Sequence, residues 1–276
     1  VLISGLFSAA HTAIEAGNSA CFETLTVQLF YWGVKMKKIV FLLLAVLCFT
    51  GSAQAESRFN LDAGVDYTSR YIWRGMDLIG DDNGAVQPWF DVGYAVTDKL
   101  SVHYLFWADY RLVDGDYDYG KDNTWDEFDH VGYLTYDIND TFSCELGYIY
   151  YYLPANAWDD GFRDQEFYGG ISAALTDYLS SSFYVYYNFD NDSSDGIYAK
   201  LAFDTGFALT ETAEFFASAG LGYMDYDDDF ESGFADLPLT AGVSVDLGHG
   251  LGMYVSANYS VALDALREND MNHENE

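Results

Sequence analysis

From Phe59 onward the chain alternates. Phe59, Leu61, Ala63, Val65 and Tyr67 occupy one set of alternate positions, and Arg58, Asn60, Asp62, Gly64 and Asp66 the other. Successive side chains of a strand point to opposite faces, so this pattern predicts a strand with one apolar and one polar face. The same rhythm recurs over Val86–Val96 and Ser101–Arg111, then over Glu127–Ile138, Phe142–Leu153, Gln165–Leu175 and Leu179–Phe189. It continues through Ile197–Phe207, Ala213–Tyr223, Leu237–Leu247 and Leu251–Val261, eleven runs in all and none with a helical period. Only Glu127–Ile138 can be read with either face inward. About ten residues is what a tilted strand needs to cross a bilayer.

The connections alternate as well. Short ones (Thr97-Asp98-Lys99, Asn139-Asp140, Thr176-Asp177, Thr210-Glu211, Gly248-His249-Gly250) are interleaved with long acidic ones such as Asp114–Asp126 and Met224–Asp236. Short turns at one end and long loops at the other predict an all-β, antiparallel, up-and-down transmembrane β-barrel. A secreted β-sandwich also alternates, but has no reason for this short and long rhythm. Aromatics at strand ends, among them Tyr67, Tyr71, Trp73, Tyr110, Tyr150, Tyr152 and Tyr223, suit the girdles of a barrel at the two membrane interfaces. Even strand numbers are the rule for bacterial single-chain barrels. Eleven strands followed by the acidic segment Leu263–Glu276 therefore predict a complete protein of about 12 strands, with the last one missing here.

The segment ahead of the strands fits export. Lys37 and Lys38 precede an apolar run from Ile39 to Gly51, and Ala53-Gln54-Ala55 offers a small-x-small cleavage site, so residues 36–55 are expected to be a signal peptide. Residues 1–35 are then an over-extended gene start, and residues 56–276 the barrel. Twelve Lys and Arg stand against 44 Asp and Glu, a net charge of −32. Such a charge excludes a nucleic-acid partner. It does not signal disorder, because half of the residues are hydrophobic and 18% aromatic. Only Cys144 follows the cleavage site, so no disulfide framework is available.

Where the first strand ends, the chain reads "SRYIWRGMDL", followed by "VQPWFDVGY". This resembles uncharacterised bacterial outer-membrane β-barrel proteins that carry a Tyr-x-[Trp/Phe]-Arg-Gly element after the first strand, here Tyr71, Trp73, Arg74 and Gly75. The resemblance extends over Phe59–Tyr94 and implies barrel fold and outer-membrane location, with no activity attached.

The polar face converges on the barrel interior, and the candidate chemistry lies there. The register directs Arg70 and Arg74 inward, toward Asp91, His103, Asp109 and Arg111. These six are the candidate pore-lining or constriction residues, as braces of the wall or as the field that sets ion selectivity. No Ser-His-acid spacing stands out along the chain, and the protein is not expected to be an enzyme. His103 faces inward; the facing of His130 follows that of its ambiguous strand. The acidic stretches Tyr226–Phe230 and Asp190–Gly196 are candidates for weak Ca²⁺ or Mg²⁺ binding, without the Gly and Glu positions of an EF-hand; no other cofactor is expected. The excess of carboxylates predicts a passive, weakly cation-selective porin-like channel for small solutes. The alternative is a non-conducting structural or surface-binding barrel that acts through its acidic loops. Inward Trp89, Trp107, Tyr184, Tyr186 and Tyr254 either fill the lumen or line it. Expected partners are outer-membrane lipid and lipopolysaccharide, the barrel-assembly machinery and small solutes.

Overall fold

A computed structural model of the chain describes residues 25–27, 58–78, 84–112, 124–154, 162–189, 195–226 and 231–268. The expected signal peptide lies outside them. Eleven long strands form one antiparallel up-and-down sheet. They are β2 (Phe59–Thr68), β5 (Gly84–Ala95), β6 (Leu100–Leu112), β7 (Trp125–Asp137), β8 (Phe142–Leu153), β9 (Phe162–Ala174), β10 (Leu179–Asn188), β11 (Gly196–Ala208), β12 (Ala213–Tyr226), β14 (Asp236–Gly248) and β15 (Leu251–Ala262). Each pairs with its neighbour in the sequence, from β2–β5 to β14–β15. The two end strands are joined by β1 (Leu25–Val27), which pairs parallel to both, opposite Ala63–Val65 of β2 and Leu251–Gly252 of β15. The circuit of pairing thereby returns to its start, through a segment expected to lie outside the barrel. A side chain also bridges this seam: the Tyr254 hydroxyl of β15 donates at 2.6 Å to Asp66 of β2, a carboxylate that also accepts from Trp89 of the neighbouring β5 at 3.1 Å.

Four of the short turns use one device. Thr97, Asn139, Thr176 and Thr210 each accept, on a side-chain oxygen, the backbone N–H groups two and three residues on, at 2.9–3.2 Å. A local side-chain acceptor of this kind replaces ladder bonds that the reversing backbone gives up. The fifth turn is built differently, with left-handed backbone at Gly248, His249 and Gly250 (φ 79°, 59° and 74°).

The alternation decides the packing. Outward positions carry Phe59, Phe90, Tyr104, Leu134, Leu146, Phe167, Phe183, Leu201 and Val255, all exposed. Inward positions carry the polar side chains and a set of large aromatics. Glycine makes room for those rings: a Cβ on Gly147 would stand 2.3 Å from Tyr168, and one on Gly170 2.3 Å from Tyr184. Each ring lies flat over a glycine of the adjacent strand, so inward bulk is laid along the wall. The strand with ambiguous facing resolves with odd residues inward, since Glu127, Asp129 and Val131 are buried and His130 is exposed.

Three elements add to the alternating pattern. β3 (Ile72–Trp73) and β4 (Met76–Asp77) form a hairpin of their own, β13 (Gly233–Phe234) pairs with the end of β12, and a short helix α1 (Asp264–Glu268) follows β15. Hairpin and helix both lie at the end of the barrel that carries the long loops.

Candidate functional site

The Tyr-x-Trp-Arg-Gly element is the β3–β4 hairpin, and it is folded into the barrel. Arg74 and Gly75 form its two-residue turn, both with positive φ (50° and 83°), the backbone of a tight hairpin reversal. Glycine meets that demand without strain at the second position, whereas Arg74 is held there by what it touches. Its guanidinium donates two bonds of 2.7 Å to the carboxylate of Glu166 on β9, and a further one of 3.3 Å to the Tyr226 hydroxyl on β12. The rings of Trp73, Tyr198 and Tyr186 surround it, 4.3, 4.4 and 4.8 Å from centroid to guanidinium carbon. The side chain of Arg74 is 5% exposed and that of Glu166 0%. Burial opposes the charge on Arg74, but the Glu166 carboxylate more than offsets this and holds the pKa well above the ordinary value.

The rest of the hairpin is fixed on all sides. Gly75 sits where a Cβ would come within 2.5 Å of Leu266 on α1 and 2.7 Å of Asp236 on β14. Trp73 meets Tyr151 edge-on, and Tyr71 packs on Trp107. At its base Arg70 pairs with Asp77 at 3.3 Å, and the Leu78 N–H donates to the Tyr71 carbonyl at 2.9 Å. Two apolar clusters meet the hairpin: Tyr71 and Trp73 pack with Ala85, Trp89 and Trp107, and Met76 packs against a second cluster that includes Ile149, Tyr151, Tyr186, Met224 and Leu266.

Against the hairpin, near the loop ends of β6 and β7, lies a group of buried carboxylates. The Tyr71 hydroxyl donates to Glu127 at 3.0 Å and the Gln87 amide to Asp109 at 2.8 Å. Asp129 lies beside Glu127, and Arg111 pairs with Asp126. One oxygen each of Asp109 and Asp129 has no hydrogen-bond partner among the described residues.

The turn half differs. Along β6, Trp107, Asp109 and Arg111 are buried, whereas Ser101, His103 and Leu105 are partly exposed; along β7, Glu127, Asp129 and Val131 are buried, whereas Tyr133 and Thr135 are partly exposed. The interior is thus filled toward the loops and reached by solvent toward the turns. In this half His103 Nδ1 lies 2.9 Å from Asp91, Tyr133 donates to the same carboxylate at 2.6 Å, and Ser101 Oγ lies 2.9 Å from His103 Nε2.

The six sequence candidates therefore divide. Asp91 and His103 meet each other in the turn half. Asp109 and Arg111 lie near the loop end of β6, each with its own partner. Arg74 pairs with none of these four but with Glu166, a residue that alternation marks only as one inward carboxylate among many; Arg70 stays at the hairpin base. The expected girdle positions of Tyr71 and Trp73 are corrected by the hairpin, which carries both inside. His130 faces outward, with Tyr104 donor or acceptor to its Nδ1 at 2.7 Å. Residues 190–194 and 227–230 of the two acidic stretches lie outside the described residues, and among the described residues no group of three or more His, Cys, Asp or Glu is arranged to hold a metal ion.

A family model described as "Bacterial protein of unknown function (Gcw_chp)" matches residues 52–271. No curated protein matches the chain. The match takes in the hairpin and all eleven long strands, and the chain belongs to this bacterial family.

Proposed function

We propose that this family member is an outer-membrane β-barrel that is closed at its loop end by the Arg74 hairpin and carries no steady ion current in that state. The outward face supports the membrane setting. Exposed Phe, Leu, Ile, Val and Tyr recur on the outward face of strand after strand, the kind of apolar surface that a soluble monomer rarely leaves open. The observation that carries the closed state is the Arg74–Glu166 pair, bidentate, buried and ringed by Trp73, Tyr186 and Tyr198. A passive pore needs water where these side chains stand. In the test, the full chain is folded into vesicles loaded with a small dye. The folded barrel is expected to float with the vesicles and to keep the dye inside; rapid dye release by the wild type would overturn the closed reading.

A second reading is favoured by the carboxylates of the wall. Asp91, Asp109, Glu127 and Asp129 line one inward stripe, and a barrel that lost its hairpin would draw cations through them. The weak cation selectivity expected from composition belongs to that opened form.

A further inference from the structure

We propose that Ser101, His103 and Asp91 form a hydrolytic triad at the turn-end mouth of the lumen, acting on short, uncharged acyl esters. The inference rests on the solvent-reached turn half and not on the closed loop end, so the two readings fail separately. Ser101 and His103 are two residues apart on β6 and share its inward face, and Asp91 comes from β5. The chain of contacts runs in the order that nucleophilic catalysis requires: Ser101 Oγ to His103 Nε2 at 2.9 Å, and His103 Nδ1 to Asp91 Oδ1 at 2.9 Å. With Nδ1–H donated to Asp91, Nε2 is left to accept the serine proton.

The surroundings hold each member in place. Tyr133 donates to the second oxygen of Asp91 at 2.6 Å and stacks on the imidazole, with ring centroids 4.6 Å apart and planes 14° from parallel. Beneath the ring is Gly93, where a Cβ would come within 2.7 Å of His103 Cε1. Thr135 Oγ1, 2.5 Å from Ser101 Oγ, places a hydroxyl donor next to the position where an oxyanion develops. Asp91 is buried, while the His103 side chain is 17% exposed and Ser101 is the second residue of its strand, so an ester reaches the nucleophile from the mouth. Asp62, paired across from Asp91, and Glu145, paired across from Thr135, make the neighbourhood anionic and disfavour carboxylate- or phosphate-bearing substrates.

In the first step Ser101 Oγ bonds to the acyl carbon as its proton passes to Nε2, and collapse of the tetrahedral adduct expels the alcohol, which takes that proton. Water then gives its proton to Nε2 and adds to the acyl-serine; the acid leaves, and the proton returns to Oγ. Ester and water become acid and alcohol, with no other reactant.

The test uses the full chain folded in detergent micelles, with p-nitrophenyl butyrate as substrate and a fluorophosphonate probe read by peptide mass spectrometry. Label on Ser101 and ester hydrolysis are expected, both lost in Ser101→Ala. Asp91→Asn is expected to lower the rate roughly 10²- to 10⁴-fold. Gly93→Ala, which displaces the ring of the general base through a positioning residue, should lower kcat more than it raises KM. Folding of each variant is checked by heat-modifiable gel mobility. Absence of both label and turnover from a folded wild-type barrel would overturn the proposal, as would labelling of Ser101 that His103→Ala leaves unchanged.

Discussion

Replacing Arg74 with alanine should release the hairpin without unfolding the barrel. The substitution removes two 2.7 Å charged hydrogen bonds and leaves Glu166, 0% exposed, with the Tyr151 hydroxyl at 3.0 Å as its remaining side-chain donor among the described residues. Removing one partner of a buried ion pair costs about 3–5 kcal/mol, much of it from the carboxylate left behind. The strand ladders do not depend on Arg74, so this cost falls on hairpin docking. At 1.36 kcal/mol per decade, the open fraction of the hairpin should rise roughly 10²- to 10⁴-fold. Hydrogen exchange of the peptide spanning residues 72–78 reads this directly, because the Leu78 N–H closes the hairpin base and the strand amides serve as an internal standard. Glu166→Gln, which keeps an acceptor but loses the charge, should fall between wild type and Arg74→Ala. The double variant should cost less than the sum of the singles, as expected for residues in direct contact. Exchange of residues 72–78 within twofold of wild type in both single variants would refute the assignment of Arg74 as the bolt.

Three further outcomes are expected. Gly75→Ala puts a Cβ 2.5 Å from Leu266 on a backbone with φ of 83°, and should loosen the hairpin by about 1–3 kcal/mol in the same exchange experiment. Gly147→Ala drives a Cβ to 2.3 Å from the Tyr168 ring and should lower barrel stability by about 1–3 kcal/mol in urea titrations, whereas Gly132→Ala, with nothing within 4 Å of its Cβ, should be neutral or slightly stabilising. Leu201→Lys on the outward face, between Phe183 and Leu221, should cost about 2–4 kcal/mol when folding is titrated in lipid vesicles, and a neutral result there would contradict lipid contact.

The strands were legible because polar side chains collect on the inward positions and seldom on the outward ones, and a period of two survives any detail of packing. All eleven appear where alternation puts them; Phe142–Leu153 agrees at both ends, and Ala213–Tyr223 extends to Tyr226. The hairpin was not legible in that way. Ile72-Trp73-Arg74-Gly75-Met76 is too short to show a period, and its position depends on Glu166, 92 residues on. Only half of the turn signal was present: Gly75 suits the second position of a tight hairpin turn, but Arg74 is not the Asn or Asp that marks the first, and Trp73 and Met76 flank the pair. Asp91 and His103 were marked as inward candidates, but Ser101 and the grouping of the three escaped for a related reason. Ser101-x-His103 is only a same-face pair until the register of β5 against β6 sets Asp91 beside it, and register is not written in either strand alone.

The most direct test of the closed barrel is single-channel recording in a planar bilayer under a KCl gradient. The wild type is compared with a variant whose residues 71–78 are replaced by a flexible Gly-Ser connection. The account predicts silence from the folded wild type, and from the variant discrete openings with a reversal potential that favours cations. Steady wild-type conductance equal to that of the hairpin-less variant would contradict it.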